Sequence, residues 1–137
     1  MKIIALLGRI LFSLIFLISG PGHFLDQNIQ YAKAQGVFLP SLLVPFSGIL
    51  ALIGALSIML GYKAKLGAWI IVLFLVPVTL MMHNFWSASE LQMKQIQLAM
   101  FMKNISLIGG ALLIAYFGAG PLSIDHKMGV PELNKPG

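Results

Sequence analysis

The side chains of this sequence that could do chemistry lie at the edges of long apolar runs. His83 and Trp86 follow one run, and Lys103 and Asn104 interrupt the start of the next. Polar and ionisable groups at membrane depth are costly, so each is a functional candidate. None is assigned a catalytic role, and no ligand spacing supports a metal site. The candidate ligand-binding set is Arg9, His23, His83, Phe85, Trp86, Phe101, Lys103 and Asn104.

Lys103 is the candidate whose direction the helical pattern predicts most specifically. Its face of a helix also carries Gln92, Ala99, Ser106 and Gly110. Small residues in a spanning helix mark contacts with other helices. We therefore expect Lys103 to point into the bundle, toward His83 or His23, and to meet a protein acceptor. The alternative is that Lys103 snorkels to headgroups, His83 caps a helix end and Trp86 joins an interfacial aromatic belt.

Arg9 stands inside the first apolar run, on one helical face with Ser13 and in phase with His23. Its guanidinium is expected to snorkel to the interface, and an inward turn toward an anionic group or carbonyl is left open. The four acids lie outside the apolar runs, at Asp26, Glu90, Asp125 and Glu132. Solvent, lipid phosphate and backbone carbonyls are therefore the partners expected for Arg9.

The composition is that of a membrane protein. Of 137 residues, 58% are hydrophobic and 9% are charged, whereas a soluble domain is about a quarter charged. The net charge of +5 is therefore interpreted as topological, and no nucleic-acid partner is expected. The chain has no Cys, which excludes disulfides, thiolate catalysis and Cys-ligated metals.

The elements that must position these residues are four apolar runs of a length that crosses a bilayer core. They predict an all-α integral membrane protein with four transmembrane helices in an up-down-up-down bundle. The first run could pass for a signal peptide, but Arg9 interrupts it and no A-x-A-like site follows, so it is expected to be retained. The runs are residues 3–19, 41–61, 66–82 and 96–117.

Two connecting segments also carry patterns. Residues 23–40 are too polar to span and are expected to form a short interfacial helix ended by Gly36. Ser87 and Glu90 match an S-x-x-E capping box, which predicts the start of the fourth helix. Residues 1–118 are expected to form the transmembrane domain, and residues 119–137 a loosely ordered tail.

The basic residues predict the orientation. Four spans place both termini on one side, and an excess of Lys and Arg marks the cytoplasmic side. Six such residues fall on the side of the termini and three on the other. Both termini are therefore expected in the cytoplasm, for a multi-pass protein of the bacterial inner (plasma) membrane. The six are Lys2, Arg9, Lys63, Lys65, Lys127 and Lys135.

Five features recur in order along the chain: LGRILFSLIFLISGPGHF, the spacing from Gly54 to Gly61, His83, FMKNISLIGGALLI and GAGPLSID. Together they resemble the DoxX family of small four-span bacterial membrane proteins. One departure is Ala51, where members of that family often carry Glu. The resemblance implies a component of a membrane redox system, since some members resemble a subunit of thiosulfate:quinone oxidoreductase.

The resemblance implies a quinone-like ligand between the helices, held by aromatic rings and a few donors. Whether the chain is an enzyme is open; if it is, the resemblance implies an oxidoreductase subunit that depends on a partner. The alternative is a non-catalytic membrane scaffold or a lipid- or partner-binding subunit, and an oligomeric transporter or channel is a third. The expected partners are membrane lipid and a protein in the membrane or periplasm, and homo-oligomerisation is left open.

Overall fold

The structure is a computed structural model and describes residues 1–131. Four of its helices are long and apolar enough to cross a membrane, so the predicted all-α, four-span fold is confirmed. Short 3₁₀ turns, Gly20–Phe24 and Phe85–Ser87, follow the first and third spans. The helices are α1 (Lys2–Ser19), α2 (Asp26–Ala34), α3 (Pro40–Leu60), α4 (Ala64–Met82), α5 (Leu91–Phe117) and α6 (Ile124–Lys127).

The bundle is organised around α3 and α4. α3 packs against α1 and α4, and α4 packs in turn against α5. We call the end that carries α2 the α2 end, and the end that carries Lys2, Lys63 and Lys65 the basic end. One continuous core joins the four spans, formed by Phe16, Ala51, Ala55, Ile58, Ala68, Ile71, Phe74, Leu75 and Ala111.

Glycine allows the closest helix approach. A Cβ on Gly54 would lie 2.9 Å from the Ile71 side chain and 3.0 Å from the Gly67 carbonyl oxygen. The α3 and α4 backbones therefore nearly touch, which is how small residues bring helices together in lipid. Gly48 meets the 3₁₀ turn in the same way, since its Cβ would lie 2.6 Å from the His23 Cβ.

The segments around the spans differ in how well the sequence predicts them. Gly36 follows α2 with φ +82°, as expected of a helix stop. The predicted capping box is wrong: Glu90 is the N-cap of α5, and no side chain caps that end. Ser87 instead closes a 3₁₀ turn, in which its N–H donates to the Asn84 carbonyl at 3.0 Å.

Residues 119–127 fold back against the basic end, and we call them the clasp. Asp125 is buried there, and its carboxylate accepts the N–H groups of Lys63 at 2.8 Å and Ala64 at 3.0 Å. Those N–H groups belong to the start of α4, which needs acceptors. The clasp thus differs from the loosely ordered tail expected over residues 119–137. The rest of that tail, residues 132–137, which includes Glu132 and Lys135, lies outside the described residues.

Candidate functional site

A cavity of about 590 Å³ lies at the α2 end, between the halves of α3 and α4 nearest to α2. We call it the α2 cavity, because α2 lies over it through Asn28, Tyr31 and the buried Ala32. Of the eight candidate residues, His23 and His83 line it. Its walls are mainly apolar, and they include Leu43, Val44, Phe46, Leu50, Leu73, Phe74, Val78, Met81 and Met82.

His23 is fixed at the cavity wall by α3. Its Nδ1 lies 2.9 Å from the Ser47 hydroxyl, and that hydroxyl donates to the Val44 carbonyl at 2.7 Å. Because a serine hydroxyl has one hydrogen, its oxygen must accept from the His23 Nδ1–H. The Nε2 atom is then the acceptor of the imidazole. The ring also packs edge-on against Phe74, with centroids 5.5 Å apart.

His83 ends α4 and ties it to α5. Its Nδ1 lies 2.9 Å from the Gln97 side-chain oxygen. Because an amide oxygen only accepts, the imidazole is the donor. The expected convergence of His83 with Lys103 is wrong, because Lys103 is exposed with its amine on the Met100 sulfur, and His83 bonds to Gln97 instead.

Pro77 shapes the wall contributed by α4. A proline inside a helix has no N–H to give to the carbonyl four residues earlier, here that of Leu73. Leu73 and Pro77 both line the α2 cavity. At the cavity wall, the backbone hydrogen bond from residue 77 to the Leu73 carbonyl is therefore missing from α4.

The structure reverses the expected roles of Lys103 and Asn104. Lys103 is exposed. Within residues 1–131, the one hydrogen-bond partner of its amine is the Met100 sulfur, 3.7 Å away on the same helix. Asn104 is the buried one, with 4% of its surface exposed. The prediction that Lys103 points inward is wrong, because α5 packs through the face of Asn104 and Ala111.

Three aromatic candidates form a separate cluster at the α2 end. The Phe85 centroid is 5.2 Å from that of Trp86 and 5.3 Å from that of Phe101. Trp86 is 54% exposed, and none of the three lines the α2 cavity. Their place beside the ends of two spans is typical of an interfacial aromatic belt.

Arg9 lies at the opposite end from this cavity. It is 4% exposed, and its Nη2 donates to the Leu122 carbonyl in the clasp at 2.7 Å. The expected snorkelling is therefore wrong, and the open alternative of an inward turn to a carbonyl is what the structure has. The clasp supplies that acceptor by folding back over the helix.

Three residues of these sites were not singled out by sequence reasoning for the roles they have. Gln97 recurs at seven-residue spacing with Asn104 and Ala111, which was a signal for the inner face of α5. Ser47 is a small residue in a span, a pattern that indicates helix packing and not a partner for His23. The role of Asp125 had no local signal, because its backbone partners lie 61 and 62 residues away.

Comparison with known proteins gives the family. Residues 2–129 match the model of the SURF4 family. Inner membrane protein YqjF of Escherichia coli (strain K12) is 30% identical over 90% of this chain and 90% of its own length. Inner membrane protein YphA of the same organism is 26% identical over 91% of this chain and 90% of its length. No solved structure matches the chain.

A yeast protein is also similar over a shorter stretch. ER-derived vesicles protein ERV29 of Saccharomyces cerevisiae is 33% identical over 60% of this chain. The aligned part spans only 26% of that relative's length.

These matches correct the resemblance to the DoxX family, which is wrong, because the matching model is that of SURF4. The redox role implied by that resemblance loses its support. Ala51, where that family often has Glu, is fully buried in the core. The four spans and the bacterial relatives identify a multi-pass protein of the inner membrane.

Proposed function

We propose that this chain, which belongs to the SURF4 family, is a non-catalytic membrane protein that binds the acyl chain of a lipid in the α2 cavity. The observation that carries the proposal is the cavity itself. Its volume of about 590 Å³ falls in the range of small-molecule sites, which are apolar with a few placed polar groups.

The polar groups of the cavity support binding better than catalysis. The Nδ1 atoms of His23 and His83 are both engaged, with Ser47 and Gln97. Both contacts hold helices together, which is a positioning role. Within residues 1–131, no three His, Cys, Asp or Glu side chains come close enough to hold a metal ion.

The apolar walls support a chain-like ligand. Phe74 is part of the core, and Leu50 and Val78 pack against it, so the wall they form is firm. An acyl chain gains roughly 0.8 kcal/mol for each buried CH₂ relative to water. Its headgroup would stay at the level of Asn28 and His23, where the cavity has its polar atoms.

Filling the cavity tests the proposal. We expect Val78→Trp to lower photo-crosslinking by a phosphatidylethanolamine with a diazirine on its acyl chain, by several-fold at the cavity residues. The reason is that the indole would occupy the space of the chain. The measurement is mass-spectrometric mapping of crosslinks on the purified protein in lipid nanodiscs.

Val76→Trp is the matched control, because Val76 lies on the same helix but is exposed and does not line the cavity. Its crosslinking should equal that of the unmodified chain. Crosslinks absent from the cavity of the unmodified chain, or lost equally in both variants, would contradict acyl-chain binding. Thermal unfolding of both variants establishes that they remain folded.

A further inference from the structure

A second cavity, of about 520 Å³, lies at the basic end in the seam between α1 and α5. The two helices meet at the Phe12 ring, which is 3.1 Å from where a Cβ of Gly110 would stand. Gly8 also lines the cavity, and nothing lies within 4 Å of its own Cβ position. Leu113 and Phe117 are exposed on the α5 wall. This seam cavity is therefore an apolar slot that opens toward the bilayer.

Positive charge surrounds the seam cavity. Arg9 also lines the cavity, and its Nη2 donates to the Leu122 carbonyl of the clasp. The Cε of Lys65 lies 3.3 Å from the Cβ position of Gly118, which also lines the cavity. Lys65 thus stands at the rim.

Among the described residues, cationic side chains outnumber carboxylates at the basic end. Both oxygens of Asp125 accept backbone N–H groups at the start of α4. Among residues 1–131, five cationic side chains stand at the basic end against this single carboxylate. They are Lys2, Arg9, Lys63, Lys65 and Lys127.

From this combination we infer that the seam cavity binds one anionic glycerophospholipid. Its acyl chain would lie in the slot beside Gly8, and its phosphate would face Lys65. An apolar slot with a cationic rim is complementary to a lipid of this type, whereas a free phosphate would gain nothing from the apolar walls. The expected cytoplasmic orientation puts the rim at the leaflet that carries anionic lipids. The site is separate from the α2 cavity and does not depend on its ligand.

The test is native mass spectrometry of the purified full chain with phosphatidylglycerol or phosphatidylethanolamine. The unmodified chain should retain phosphatidylglycerol preferentially. Lys65→Gln should weaken phosphatidylglycerol binding about fivefold, the effect expected of one basic side chain near an anionic surface. Gly8→Leu should abolish the preference for phosphatidylglycerol, because the leucine fills the slot and only lipid in the α2 cavity remains.

Matched controls separate this site from general lipid binding. Gly109→Leu adds the same side chain at a position that lines neither of the two cavities and has nothing within 4 Å of its Cβ. Lys33→Gln removes a cation at the α2 end. Both should leave the preference for phosphatidylglycerol unchanged, as should Val78→Trp, which fills the other cavity.

Three outcomes would overturn the inference. Equal retention of the two phospholipids by the unmodified chain would remove the charge argument. An unchanged preference for phosphatidylglycerol in Gly8→Leu would remove the slot, and if that variant fails to fold, an unchanged preference in Lys65→Gln decides against the site. Inorganic phosphate that binds with the same dependence on Lys65 would identify a phosphate site instead.

Discussion

At the scale of single residues, the direction of a side chain decides whether it is buried, and its position along the chain does not. Lys103 and Asn104 are neighbours, yet Lys103 is exposed and Asn104 is buried, with 4% of its surface exposed. Adjacent helical residues point about 100° apart, so only one of such a pair can face the bundle. The amide is the cheaper group to bury, because it carries no charge. The ammonium stays outside.

Asp125 gives the sharpest prediction at this scale. An Asp125→Asn variant presents one acceptor and one amide donor to two backbone N–H groups, so one hydrogen bond is lost. We expect the free energy of unfolding to fall by about 1–2 kcal/mol, as for the loss of a helix cap. Equilibrium unfolding of the detergent-solubilised protein measures it.

Asp26→Asn is the control for that variant, because Asp26 is exposed in the first turn of α2. Its effect should stay within about 0.5 kcal/mol, which is usual for surface substitutions. If the two variants unfold alike, the contacts of Asp125 with α4 do not stabilise the fold.

At the scale of the elements, the spans could be predicted and their rotation could not. Apolar runs of bilayer length are a local signal, and α1, α3 and α4 begin and end within about two residues of them. The inner face of α5 is different, because lipid is as apolar as a protein core. Leu112 and Leu113 are exposed to lipid, while Ala111 is buried. Hydrophobicity therefore does not mark which face of α5 packs.

The candidate site was predictable to a similar degree. His23 and His83 were selected because a polar side chain at membrane depth stands out in the sequence. The cavity that they share depends on how α2 covers the ends of α3 and α4, which is a tertiary relation. The link between Arg9 and Leu122 joins residues 113 positions apart, and no local pattern indicates it.

The crossing of α3 and α4 carries the prediction for this scale. Gly54→Ala would bring a methyl group 3.0 Å from the Gly67 carbonyl oxygen, a backbone atom that cannot rotate away. We expect the two helices to separate and the protein to be destabilised by about 1–3 kcal/mol, the usual cost of overpacking. Thermal unfolding in detergent is the measurement.

Gly109→Ala is its counterpart in α5, where nothing lies within 4 Å of the added atom. There the higher helix propensity of alanine should leave stability unchanged or raise it by up to about 1 kcal/mol. A Gly54→Ala protein as stable as Gly109→Ala would mean that the close approach is not needed.

At the scale of the whole molecule, the two ends of the bundle differ in chemistry. The α2 end has imidazoles, amides and aromatic rings around a cavity, and the basic end has lysines, Arg9 and the clasp. Such a charge difference orients a protein in the membrane. The assignment of the basic end to the cytoplasm follows from it and stays a prediction.

Cysteine labelling tests that orientation without background, since the chain has no Cys. A single Cys at Gln27 or Ser89 should react with an impermeant thiol reagent in cells whose outer membrane is permeabilised. A Cys at Gly129 should react only after the inner membrane is opened. All three positions are exposed. Labelling of the Cys at position 129 alone, in cells whose inner membrane is intact, would show the opposite orientation.

The clasp also has a consequence for biosynthesis. Asp125 follows Lys63 by 62 residues, which a ribosome adds in about 3 to 12 seconds at 5–20 residues per second. For most of that interval α4 is already made, but the carboxylate that accepts the N–H groups of Lys63 and Ala64 does not yet exist. The start of α4 is completed only when the nascent chain has passed residue 125, so a polypeptide released before that point would keep the defect permanently.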